Sequence, residues 1–161
     1  ICNVHLRAGE RGAAPRLRQC RLLQHWTKPM INNNENVIVI GDINTSCVCD
    51  NVSAGDDLAL LCGTTGLPNN SSLFDLHLKL PSAQRPTHLA GKQFDHLLVS
   101  PALLTDTDSE HDLIFSSIET VKQPVINGKQ DTDHFNGFYS IPSHERDVSD
   151  HYPVVATFKI K

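Results

Sequence analysis

Val37-Ile38-Val39-Ile40-Gly41-Asp42-Ile43-Asn44 sets four β-branched residues in a row and then stops at a glycine and an acid. A continuous apolar run of that length, with no polar residue alternating, reads as a strand buried on both faces. Such a strand lies between two layers, and a helix before it with a Gly-Asp turn after it makes a βα-type arrangement. In open α/β sheets, ligands bind beyond the strand ends. Here the strand end carries Asp42 and Asn44. In extended geometry both side chains point the same way, giving one carboxylate and one amide about a phosphate's width apart. An Asx-turn that closes the strand is the competing reading.

Working outward, the chain opens with an alternating segment, Ile1 to Leu6, in which Asn3 and His5 share one face and Cys2, Val4 and Leu6 the other. Pro15 is placed to begin a helix over residues 15–31, with Leu17, Cys20, Leu23 and Met30 as its apolar stripe and Trp26 to one side. Arg16, Arg18 and Arg21 fall off that stripe and read as a solvated face. Downstream of the buried strand, Ser53 caps a short helix with Asp56 and Asp57 in its first turn and Gly63 as its stop. Over residues 73–80, Phe74, Leu76, Leu78 and Leu80 alternate with polar residues, which favours a strand by period.

Residues 86–89 and 93–100 read as two arms of a hairpin around Ala90-Gly91. In the second arm Asp95 sits among Phe94, Leu97, Leu98 and Val99, so its carboxylate needs a partner, for which a histidine from elsewhere is the natural choice. Thr105 to Asp112 reads as an acidic loop. Residues 113–121 are strand-like with an imperfect period, and residues 125–145 read mostly as loop, with Asp131, Asp133 and His134 as a solvated polar group. The last strand alternates, with Val154, Ala156, Phe158 and Ile160 on one side and Thr157, Lys159 and Lys161 on the other. Before it stands Ser149-Asp150-His151-Tyr152-Pro153, where an adjacent acid and imidazole offer a metal ligand and a phosphate contact together, or merely start the strand.

Composition sets bounds on these readings. The 161 residues, 39% apolar and 20% charged, suit one domain with a sizeable core. A net charge of -4 and a pI near 6.1 argue against a broadly basic nucleic-acid surface. No apolar run is long enough to span a bilayer and no signal-peptide pattern is present, so the expected protein is soluble, with cytoplasmic and secreted locations both open. Five cysteines do not make a disulfide framework. Cys47, Cys49, Cys62 and His77 invite a zinc reading, but Cys-x-Cys lacks the paired spacing of structural zinc modules.

Four strings carry a resemblance. Asn3-x-His5-Leu6, Gly41-Asp42-x-Asn44, Phe94-Asp95-His96-Leu97-Leu98-Val99-Ser100 and Ser149-Asp150-His151-x-Pro153 occur in the order of the endonuclease/exonuclease/phosphatase (deoxyribonuclease-I-like) superfamily, which the sequence resembles from Ile1 to the C-terminus. The resemblance implies a two-sheet sandwich flanked by helices, with four layers in the order α/β/β/α. It also implies that residues 1–161 are a single partial domain whose N-terminal portion, with an Asn and a metal-binding Glu, lies upstream. The implied activity is Mg²⁺-dependent phosphoester hydrolysis, with Mn²⁺ as the alternative ion.

By the same resemblance Asp150 would be the metal ligand and His151 would contact the scissile phosphate. Asp95 would orient His151, Asp42 would activate the attacking water, and Asn44, Asn3 and His5 would bind the phosphate. Protonated His5 could assist the leaving oxygen. The expected partner is a phosphoester, either nucleic acid or a phosphorylated small molecule or lipid, and no stable protein partner is implied. A nuclease-like activity leads. A lipid or inositol phosphate phosphohydrolase and a non-catalytic binding domain or inactive fragment are the alternatives.

Overall fold

The structure, a computed structural model, describes residues 1–45, 56–64, 68–105, 113–123, 125, 127 and 137–160. In chain order the elements are β1 (Cys2–His5), α1 (Ala13–Asn32), β2 (Ile38–Asp42), α2 (Asp57–Cys62), β3 (Phe74–Asp75), β4 (Asp95–Val99), β5 (Leu113–Thr120) and β6 (Val154–Ile160). Four strands form one sheet in the order β1-β2-β4-β3, and β5 pairs with β6 in a second. β1 runs parallel to β2, whereas β4 is antiparallel to both β2 and β3.

The β-branched run at β2 is covered on both sides, as its composition demands. Val37 and Val39 are buried with Cys20, Ile31, Leu58, Leu61 and Leu98 on the helical side. Ile38 and Ile40 pack on the other side against a cluster that includes Leu97, Val99, Ile118, Phe115, Val154, Ala156 and Phe158, which is the contact between the two sheets. Among the described residues this makes three layers: helices, the four-stranded sheet and the two-stranded sheet. The second helical layer of a four-layer sandwich is not among them.

Gly41 lets β1 lie close to β2. Its φ is +132°, and a Cβ there would stand 2.0 Å from the Val4 carbonyl oxygen, a separation no side chain tolerates.

Several expectations are corrected by how the elements pack. The buried side of α1 is set by Arg16, Cys20, Thr27 and Ile31, so the apolar stripe is rotated from the one expected: Trp26 is 68% exposed and Met30 38%. Arg16 is not solvated. Its Nε donates to Asp57 at the start of α2, and its Nη1 donates to the carbonyls of Arg7 and Gly9. A guanidinium can be buried when its donors are met in this way. Asp57 also accepts from Thr45 Oγ1 at 2.6 Å. Burial alone would raise its pKa, and the bonds from Thr45 and Arg16 bring it below the ordinary value.

The expected strand over 73–80 ends after two residues and turns into a 3₁₀ helix, Leu76–Lys79. Asp75 explains the break, because its carboxylate accepts from the His77 backbone N–H and so caps a turn where the alternation pointed to extended chain. The same carboxylate faces the Nδ1 atoms of His77 and His96. Burial would push its pKa up, but His96 and His77 hold it far below the carboxylate range.

The hairpin over 86–100 does not form as a pair of strands. Thr87 N–H does donate to the Lys92 carbonyl and Thr87 Oγ1 accepts from the Phe94 and Asp95 N–H groups, but the backbone of the first arm also pairs with the segment before β6: Leu89 N–H donates to the Asp150 carbonyl at 2.9 Å and Tyr152 N–H to the Thr87 carbonyl at 2.8 Å. The imperfect period of β5 has a local cause in a register shift between Phe115 and Ser117. Ile160 lies on the expected apolar side of β6 yet is 80% exposed. Cys47 and Cys49 of the zinc reading, the Ser53 cap, residues 106–112 of the acidic loop and the Asp131, Asp133 and His134 group lie outside the described residues. Cys62 is a buried free thiol, and His77 is engaged by Asp75.

Candidate active site

Three neighbouring strands bring the polar residues together by register alone. His5 stands opposite Asp42 in the β1–β2 pair, and Asp42 stands opposite Asp95 in the β2–β4 pair. Residues directly opposite one another share a face, and side chains alternate with period two. Asp42 and Asp95 therefore continue the face of Ile38, Ile40, Leu97 and Val99, and Asn3 and His5 lie on the same side of β1. The inter-sheet face is thus apolar through its middle and turns polar where β1 and β2 end and β4 begins.

The two carboxylates are partly buried and their strand positions pair. Burial raises the Asp42 pKa, and the neighbouring charge of Asp95 raises it further. His5 Nε2 lies 3.5 Å from Asp42 Oδ2, with the imidazole largely exposed and the carboxylate largely covered. Asn44 departs from the extended geometry expected of it. It adopts φ +54°, and its backbone N–H donates to Asp42 Oδ1 at 2.8 Å, so an Asx-turn ends the strand. Its side-chain Nδ2 donates to the Leu6 carbonyl at 3.1 Å, which ties the end of β1 to the loop after β2.

The segment 149–153 crosses from the second sheet to meet these groups. His151 Nδ1 is 2.7 Å from Asp95 Oδ2. A carboxylate oxygen accepts, so Nδ1 is the donor in this contact and Nε2 is the ring nitrogen on the side away from Asp95. Ser149 Oγ accepts from the His151 backbone N–H at 3.0 Å and holds the turn. A cleft of about 400 Å³ runs beside this contact, lined in part by Ile40, Gly41, Asp95, Ser149, His151 and Val154. A second hollow of about 530 Å³ adjoins Asp150 and is walled by Leu89, Phe138, Tyr139 and Val148.

His88 joins the site without having been singled out from the sequence. It forms an isolated antiparallel bridge with His151, and their rings meet edge to face at 4.9 Å. Its Nε2 is 3.6 Å from Asp150 Oδ2. Burial lowers the His88 pKa and the His151 charge lowers it further. No local pattern marks this residue, because its place depends on a pairing with a segment some sixty positions later.

His88, Asp150 and His151 each bring a potential ligand atom within 4.8 Å of the others. A Mg²⁺ ion takes oxygen donors in a near-octahedral shell and keeps several waters. The Asp150 carboxylate, 56% exposed, fits that chemistry as one ligand. His88 does not fit, since its Nδ1 accepts the Ala90 backbone N–H at 3.0 Å and the ring proton therefore occupies Nε2. Of the residues expected from sequence, Asp42, Asp95, His151 and His5 are linked directly or through register. Asp150 meets them through His88 and its neighbour His151. Asn3 is exposed beside Gly41, with Oδ1 3.0 Å from where a Cβ would be.

No family model matches the chain, and no curated protein matches it in sequence. In structure it is similar to humanized D. rerio TDP2 carrying 14 mutations, seen in a crystal structure, with a TM-score of 0.58 and 18% identity. The match covers 98% of this chain and 53% of that one, so the chain spans about half the length of the protein it resembles. At this identity the likeness shows a shared fold.

Proposed function

We propose that the chain carries the larger part of the active site of a metal-dependent phosphoester hydrolase, acting by in-line attack of an activated water. The observation that supports this reading most is the meeting of Asp42, Asp95 and His151, which come from three separate strings of the sequence, two from neighbouring strands of one sheet and one from the segment that leads into the other. The order of the four strings and the fold shared with TDP2 favour the endonuclease/exonuclease/phosphatase superfamily, and on this reading residues 1–161 would correspond to the C-terminal portion of a four-layer domain.

In-line displacement needs a positioned water, neutralisation of the developing charge, and donors on the phosphoryl oxygens. Asp42 suits the first task, because its raised pKa brings a carboxylate closer to the working range of a general base. Asp95 fixes the tautomer and orientation of His151, whose Nε2 faces the phosphate. His5, Asn3 and Asn44 line the opposite side, where His5 when protonated can donate to the leaving oxygen. A Mg²⁺ or Mn²⁺ ion bound at Asp150 would supply charge neutralisation to the phosphoryl group. A nuclease-like diesterase is the leading assignment. Exposed Tyr139 and Val148 beside Asp150 favour a substrate with an aromatic or apolar group near its phosphate, which keeps a lipid phosphoester as the second reading.

The test is hydrolysis of bis-p-nitrophenyl phosphate by the protein in its full natural reading frame, with Mg²⁺ and with chelator. Asp42→Ala and His151→Ala should each lower kcat by about 10²- to 10⁴-fold with little change in KM. Unchanged turnover in either variant would sink the assignment. DNA, inositol phosphate and sphingomyelin as alternative substrates then separate the readings.

A further inference from the structure

His88 lies outside the four strings that define the proposed site, and its imidazole is nevertheless buried against Asp150 and His151, with 5% of the residue exposed. Two backbone hydrogen bonds hold it there. Leu89 N–H donates to the Asp150 carbonyl and Tyr152 N–H to the Thr87 carbonyl, so residues 87–89 run antiparallel to residues 150–152 with His88 opposite His151. Opposed residues in such a pair project to the same side. Phe94 packs on the ring edge to face at 5.1 Å and limits its rotation.

The chemistry of the ring follows from its other nitrogen. Ala90 N–H donates to His88 Nδ1 at 3.0 Å, so that atom holds a lone pair and the single proton of the neutral ring is on Nε2. For Nε2 to ligate a metal, the proton would have to move to Nδ1. Two N–H groups would then face each other across 3.0 Å. The ring is thereby set as a donor on the side that faces Asp150 Oδ2, at a separation longer than the usual N–H···O range.

We propose that His88 is a phosphate-binding residue of this site, its Nε2–H donating to a non-bridging oxygen of the phosphoryl group held between Asp150 and His151. This rests on the reading of the site as a phosphoester hydrolase. It adds to that reading a donor held in one tautomer by the Ala90 N–H, on a segment joined to the His151 segment by backbone bonds. Any shift of residues 150–152 carries the donor along with His151, so the two keep their spacing.

The probe is inorganic phosphate, titrated in the presence of Mg²⁺ into the protein in its full natural reading frame. His88→Ala should weaken phosphate binding about tenfold or more, as expected for loss of one hydrogen bond to a charged group. His88→Gln, whose amide N–H reaches a position similar to Nε2, should recover most of it. In the unsubstituted protein, nitrogen-15 NMR should show His88 protonated at Nε2, with that proton shifting downfield as phosphate is added.

Undiminished phosphate binding by His88→Ala, or a proton on Nδ1, would overturn the proposal. If His88→Ala does not fold, the His88→Gln variant and the NMR titration decide. A protein that binds phosphate through His88 but does not hydrolyse bis-p-nitrophenyl phosphate refutes the hydrolase reading and leaves the donor standing. Hydrolysis with phosphate binding indifferent to His88 does the reverse.

Discussion

Asp42 carries opposed demands in a single side chain. Burial and the facing Asp95 disfavour its charged form in the folded protein, so its folded pKa lies above its unfolded value. A carboxyl group shifted in that direction lowers stability as pH rises through the interval between the two values, and the penalty persists at neutral pH. Asp42→Asn keeps an oxygen for the Asn44 backbone N–H and removes the penalty. It should therefore raise the melting temperature at pH 7 while abolishing hydrolysis, and the gain should vanish in acid, where the native carboxyl is already neutral. A melting temperature that falls at neutral pH would show that the charge is compensated in the fold. Asp95, by contrast, could be read from the sequence alone, because an acid in an apolar strand must find a partner, and His151 lies 2.7 Å away. His88 could not be read in this way, since nothing near it in the chain announces the pairing with 150–152.

At the scale of elements, the β-branched run of β2 was legible because burial on both faces leaves no room for alternation. The helix was legible in position but not in rotation. Trp26 and Met30 have the apolar character of a core stripe, yet Arg16 occupies the buried line because Asp57 and two carbonyls receive its donors. That pairing depends on α2, which no periodicity in α1 can encode. Removing one partner of a buried ion pair leaves the other uncompensated, at a cost of roughly 3–5 kcal/mol. Asp57→Asn should show a loss of that order in chemical denaturation, and replacing Arg16 and Asp57 together with Met and Leu should recover much of it. The strand expected over 73–80 failed for a related reason: Asp75 turns its carboxylate onto its own backbone and onto two imidazoles, a local capping that outweighs the alternation of the leucines.

For the whole molecule, the inter-sheet core of Leu97, Val99, Ile118, Val154 and Phe158 sets the separation between the four-stranded and two-stranded sheets. The Asp95–His151 contact reaches from one sheet to the segment that enters the other. Chemistry that depends on reacting groups near 3 Å apart is sensitive to small displacements. On heating, hydrolysis should therefore be lost at a lower temperature than the far-ultraviolet circular dichroism signal, since each sheet can keep its own hydrogen bonds after the sheets begin to slide. Coincident losses would show that the two sheets melt as one unit. Because this contact spans the sandwich, it works as a gauge of the gap. Ile118 and Phe158, which pack within that core, then act as spacers, and the substitutions they tolerate are limited by thickness as well as by greasiness.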